Sequence, residues 1–166
     1  YKEIDVKDKI VVTRVNDPGI FNDSIFEGKT LTYFGRWTYH IEEAAKRGAA
    51  GILLIHTDQT AGYDWNVVVK SWTGEELYID SDLDNDLKFR GWIKESRFEE
   101  LLNENGFNLQ ELYTKSESKD FIPINLGINF RLICENNIVR SVSNNNVIAH
   151  IPGKTKERIV LSAHID

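Results

Sequence analysis

The run Trp37-Thr38-Tyr39-His40-Ile41-Glu42-Glu43-Ala44-Ala45-Lys46-Arg47-Gly48-Ala49-Ala50-Gly51-Ile52-Leu53-Leu54-Ile55-His56 changes its period in the middle, and that change decides the fold class. Trp37, Ile41, Ala44 and Ala45 recur at helical spacing, with Glu42, Glu43, Lys46 and Arg47 mostly on the other face. Gly48 supplies a left-handed stop, and the cations Lys46 and Arg47 sit in the last turn, where the helix dipole favours them. Gly51 to His56 then reads as an apolar strand. Upstream, Lys9 to Arg14 is a β-branched run closed by the turn residues Asn16-Asp17-Pro18-Gly19, so it reads as a buried strand. Strand, helix, glycine, strand is an α/β crossover.

Further out the signals are mixed. Phe21 to Phe34 has no clear period and reads as loop. So does the polar stretch Asp58 to Asp86, in which Tyr63, Trp65, Trp72 and Tyr78 serve either packing or an interface. Leu87 to Lys94 alternates as a strand, with Gly91 allowing a bulge or a close approach. Ser96 with Glu99 matches a capping box, opening a helix through Phe98, Leu101 and Leu102 to Asn105-Gly106; Asn108 with Glu111 matches a second. After Ser116 the character changes. Asn129–Cys134 and Ile138–Val142 read as a β-hairpin around Glu135-Asn136-Asn137, followed by strands at Asn146–Ile151 and Arg158–His164. The boundary falls near Ser118 to Asn125, giving domains 1–124 and 125–166.

The chain has 166 residues, near the size of one ordinary domain, and its 41% hydrophobic and 28% charged residues are a globular composition. A net charge of −6 argues against a nucleic-acid binder, which needs a basic face to neutralise phosphates. The lone Cys134 excludes an internal disulfide framework and reads as a buried small hydrophobe. The longest apolar run, Ala49 to Ile55, falls well short of the ~20 residues a membrane helix requires. With Tyr1 first, no methionine and no visible signal peptide, the sequence reads as a piece of a longer chain.

The sharpest constellation is His164-Ile165-Asp166 at the end of the apolar run Ile159-Val160-Leu161. Side chains alternate along a strand, so His164 and Asp166 share a face, and an imidazole can bind a metal through one nitrogen while the other donates to a carboxylate. Other motifs fail. His40 begins like a helical zinc-protease motif, but Ala44 stands where the second histidine belongs. Asp80, Asp82, Asp84 and Asp86 alternate, yet Asn85 and Gly91 break the EF-hand pattern, which leaves a solvated acidic loop. Asn22-Asp23-Ser24 is a glycosylation sequon and marks a surface loop.

Asn146-Val147-Ile148-Ala149-His150-Ile151-Pro152-Gly153, then Arg158-Ile159-Val160-Leu161-Ser162-Ala163-His164-Ile165-Asp166, resembles the first strands of the dizinc aminopeptidases, a superfamily that includes glutamate carboxypeptidase and the transferrin receptor. Asp5–Val12 and Glu42–Leu54 resemble the protease-associated domain that many of these peptidases carry, with Asp8 where glycine is frequent; Tyr33–Tyr39 is similar to bacterial members. The resemblance implies a mixed α/β or β-sandwich-like protease-associated domain with two helical regions, followed by the amino-terminal β-hairpin edge of a truncated zinc-exopeptidase α/β domain. It implies His164 as a zinc ligand and Asp166 as the group that orients it, both at work in the parent enzyme. The parent would hold two zinc ions, act on peptide substrates and be exported. This stretch would be its inactive accessory domain, with the rest of the peptidase domain as its partner. Two alternatives stay open: the binding module of a peptidase-like receptor whose zinc site has decayed, and an acidic dipeptide carboxypeptidase.

Overall fold

A computed structural model describes residues 4–77, 87–118 and 120–163. The chain divides into two units, Tyr1–Phe130 and Arg131–Asp166. In the first, the elements run β1 (Ile10–Arg14), α1 (Trp37–Lys46), β2 (Gly51–His56), α2 (Asp58–Ala61), α3 (Trp65–Trp72), β3 (Phe89–Lys94), α4 (Glu95–Glu104) and α5 (Leu109–Ser116). The three strands form one parallel sheet in the order β1-β2-β3. The mixed α/β class is therefore the one that forms. Among the described residues no second sheet exists to make the β-sandwich-like variant.

Central strand β2 is buried along its whole length, as a parallel strand covered on both faces must be. Ile52 and Leu54 face Ile41 and Ala44 of α1, together with Val11 and Trp92. Ile55 faces the opposite way, into Phe98, Leu102, Leu109 and Tyr113 of α4 and α5, with Val12 and Ile93 from the outer strands. The period-2 alternation of β2 thus supplies both layers at once. Helix α3 joins through Trp72, whose ring meets Trp37 edge-on at 5.6 Å.

Helix ends follow local chemistry. At Gly48, φ is +72°; its amide donates to Ala45 O at 2.9 Å and that of Ala49 to Ala44 O at 3.1 Å, so α1 closes in a Schellman motif. Helix α4 closes the same way at Gly106, with Phe107 N donating to Leu102 O at 2.9 Å. Asn108 caps α5, its Oδ1 accepting from Glu111 N at 2.9 Å.

The Ser96 capping box does not form. Helix α4 begins at Glu95, directly after the last residue of β3, with Lys94 at the N-cap and no side-chain cap bond. Continuity with the strand sets the start two residues early and puts Ser96 inside the first turn. Accordingly Asn108→Ala is expected to lose ~1 kcal/mol of stability while Ser96→Ala changes it little. Denaturant midpoints of the two variants check this, and the reverse order would move the helix start to Ser96.

Several other readings change. The stretch Asp58 to Asp86 is not all loop: α2 and α3 lie within it, capped by Thr57 and Asp64. Gly91 makes no bulge, since β3 pairs with β2 residue for residue; the close approach is by the Phe89 ring, which covers the Gly91 Cα. In the second unit no strand forms over the described residues 131–163, so neither the hairpin nor the two strands after it are present. Ile148, Ile151 and Ile159 are 90% or more exposed. Two-stranded pairing is marginal without an apolar face to bury, and these side chains meet none. Cys134 is exposed there, not buried in a strand. The acidic run Asp80–Asp86, Tyr78, and the pair His164 and Asp166 lie outside the described residues.

Candidate functional site

In an open parallel sheet the crevice forms beyond the carboxyl ends of the strands, where loops and helix starts converge. The same holds here. His56 ends β2, Lys94 ends β3, and an open cleft of about 410 Å³ lies between them, lined also by Thr57, Asp58, Asp64, Trp65, Asn66, Glu95 and Ser96. His56 and Lys94 are register partners, which fixes the two side chains next to each other. The loop after β1 is tied to the same end of the sheet: Asn16 Nδ2 donates to Thr60 O at 3.1 Å. Asp17, itself buried, holds that loop by accepting from Gly19 N at 2.9 Å and from the Thr32 hydroxyl.

Each wall has a local cause. Thr57 Oγ1 accepts from Thr60 N at 3.0 Å and so starts α2 immediately after β2. Gly62, at φ +80°, turns the chain back. Asp64 Oδ1 accepts from Asn66 N at 2.6 Å and starts α3, which presents Trp65. The Lys94 ammonium then lies 5.6 Å over the Trp65 ring.

His56 is the unusual member. It is 3% exposed, ringed by Tyr63, Trp65 and Trp92 at centroid separations of 5.6, 5.5 and 6.2 Å. Its Nδ1 lies 3.9 Å from Asp58 Oδ1, too long for a hydrogen bond, and its buried Nε2 has no hydrogen-bond partner among the described residues. Burial in the same wall raises the Tyr63 phenol above its ordinary pKa. Ser96, His56 and Asp58 share the cleft, but the hydrogen bond that would activate a serine is not made, because Nε2 is unpartnered. Among the described residues no group of three His, Cys, Asp or Glu side chains converges as a metal site.

Comparison with known proteins leaves the chain on its own evidence. No family model, no curated protein and no solved structure matches it.

His40, the other histidine of interest, sits on α1 among packed neighbours. Desolvation lowers its pKa, against a backbone hydrogen bond to Asn16 and the charge of Asp17, which raise it. Ala44, where a second histidine would stand, is buried in the core. Asn22 is exposed, as a surface-loop sequon should be, and its Oδ1 accepts from Ser24 N at 2.9 Å. Of the aromatic cluster, Tyr63 and Trp65 enclose His56 and Trp72 meets Trp37, while Trp72 stays 43% exposed. No helix among the described residues is long and apolar enough to cross a membrane.

His56 escapes a reading by periodicity because it closes an apolar run and passes for the end of a buried strand. The signal was its type and place together. A titratable side chain as the last residue of a central parallel strand stands at the crevice.

Proposed function

We propose that this chain is a non-catalytic accessory domain of an exported zinc aminopeptidase, controlling substrate access or interaction. His164-Ile165-Asp166 would be the first metal-ligand motif of that enzyme. The observation that carries the reading is where the quoted motifs fall. Asp5–Val12 leads into β1, Glu42–Leu54 spans the second half of α1 and the first part of β2, and their special positions have backbone reasons. Asp8 adopts φ +59°, the left-handed turn a glycine takes without strain, and Gly48 adopts +72°. Gly51 has no room for a Cβ, which would lie 2.7 Å from Phe89 O.

In this reading the α/β unit does no chemistry. Zinc in the parent would polarise the scissile carbonyl and lower the pKa of a bound water. His164 would supply one nitrogen ligand. Asp166 would accept a hydrogen bond from the opposite imidazole nitrogen and so fix the ring's orientation. A catalytic zinc takes three protein ligands and an open position, more than this motif provides.

The test is direct. The purified chain, given zinc, is expected not to hydrolyse chromogenic amino-acid amides. Turnover that disappears in His164→Ala would overturn the accessory assignment.

A further inference from the structure

Between β1 and α1 the chain closes on itself: Asn16 N donates to Gly35 O at 2.9 Å, which brings the two ends of the loop 16–35 together. The closure is tight. A Cβ on Gly35 would lie 2.8 Å from Asn16 Oδ1 and 2.9 Å from Asp17 N, and Asn16 itself holds φ +79°. His40 of α1 stands against this neck. One ring nitrogen donates to the Asn16 carbonyl, while Nε2 is buried and has no hydrogen-bond partner among the described residues. A neutral imidazole suits such a place, since it carries one N–H and that N–H has its acceptor. A second proton would sit on Nε2 as a buried, charged donor without an acceptor, which is far costlier. Burial accordingly holds the ring's pKa below its ordinary value, although the Asn16 bond and the charge of Asp17 raise it. Other nearby groups are engaged elsewhere: Glu43 pairs with Lys46 and Arg47, and Glu42 accepts from the Tyr33 hydroxyl. The Tyr39 ring meets the imidazole edge-on at 6.1 Å. Asp17 is the charge that acts on the ring, and its own oxygens accept from Gly19 N and the Thr32 hydroxyl.

We infer that His40 is an acid-sensitive latch on the loop 16–35: the neutral ring holds the neck shut, and protonation of Nε2 releases it. Water supplies the missing acceptor once the neck opens, so the protonated ring favours the open loop. The loop carries Phe26, Tyr33 and Phe34, each at least half exposed, and their rings meet one another and Tyr39, the neighbour of His40. Acidification therefore loosens an exposed aromatic surface while the sheet stays folded. A ring whose pKa is lower in the closed loop than in the open one stabilises closure above pH ~6.5, and that stability is lost as pH falls below it. The opening constant rises by up to about tenfold between pH 7.5 and 5.5. The inference does not rest on the peptidase reading, since it concerns residues 16–40 alone.

The experiment measures amide hydrogen exchange of the purified chain between pH 7.5 and 5.5, expressed as protection factors so that the intrinsic pH dependence of exchange drops out. The His40 ring protons are followed by NMR over the same range. The Asn16 and Gly35 amides, both bonded inside the closure, are expected to lose protection about threefold or more at pH 5.5. The Leu54 amide of the buried strand β2 should keep its own. The His40 ring should titrate below ~6.5. His40→Gln, whose side-chain amide can donate to the Asn16 carbonyl, should lose the pH response. Asp17 is unchanged in that variant, so a response that persists would belong to Asp17 and overturn the inference. So would a loss of protection below about threefold, an equal loss at Leu54, or a ring that titrates at or above ~6.5. If His40→Gln does not fold, the exchange and ring titration of the unaltered chain decide alone.

Discussion

Leu102→Ala is expected to destabilise the α/β unit by about 3 kcal/mol, within the 2–5 kcal/mol typical of a buried leucine cut to alanine. Leu102 is 0% exposed and joins Ile55, Phe98, Leu109 and Tyr113 in one apolar cluster. Its carbonyl also receives the Phe107 amide that closes α4, so the position links helix end to sheet. Alanine keeps the backbone bond and removes the side chain, leaving a cavity between β2 and α4 that the packed rings of Phe98 and Tyr113 fill only in part. Against a total stability of ~5–15 kcal/mol, that loss is large. The measurement is the shift of the urea midpoint at constant slope. A loss under about 1 kcal/mol would mean that α4 does not pack on the sheet as described.

Gly51→Ala is expected to cost about 2 kcal/mol although it adds only a methyl group. Gly51 opens the central strand, paired to Ile10 on one side and Phe89 on the other. A Cβ there would stand 2.7 Å from Phe89 O and 2.9 Å from both Ile10 Cδ1 and Phe89 Cβ. The first contact is backbone, so β3 itself must shift. At Gly62, by contrast, nothing lies within 4 Å of the same atom, and only its φ of +80° resists substitution. Thermal melting of the two alanine variants separates crowding from backbone strain. A Gly51→Ala protein as stable as wild type would show that the strands are not in this register.

How far the sequence could be read depended on whether a signal was local. The βαβ unit was legible because Trp37–Lys46 and Gly51–His56 change period across a glycine, and both Gly48 and the strand boundaries sit where that pattern put them. The Ser96 box matched its motif and still failed, since Glu95 already continues the chain from β3 into helix. Helix α3 was hidden by Val67-Val68-Val69, a β-branched run that favours strand by propensity. Of the three only Val68 is buried, and tertiary packing sets the helix. In the second unit, Ile138, Val139, Val147 and Ile148 report a capacity to form strands. They contain no information on whether a surface exists to cover them, and all are more than 70% exposed. The cleft was invisible for a related reason: Asp58 and Lys94 are 36 positions apart and come to line one cleft only through the β2–β3 register, which pairs His56 with Lys94.

The proposal that the chain serves a zinc aminopeptidase, with His164 as a metal ligand, is tested most directly by measuring zinc content and aminopeptidase turnover in the protein expressed from its complete reading frame. His164→Ala is expected to lose a zinc ion and, with it, turnover. Asp166→Ala, acting only through the orientation and basicity of the imidazole, should be milder, about 10–100-fold in metal affinity or activity. Full zinc occupancy with normal turnover in His164→Ala would contradict the assignment.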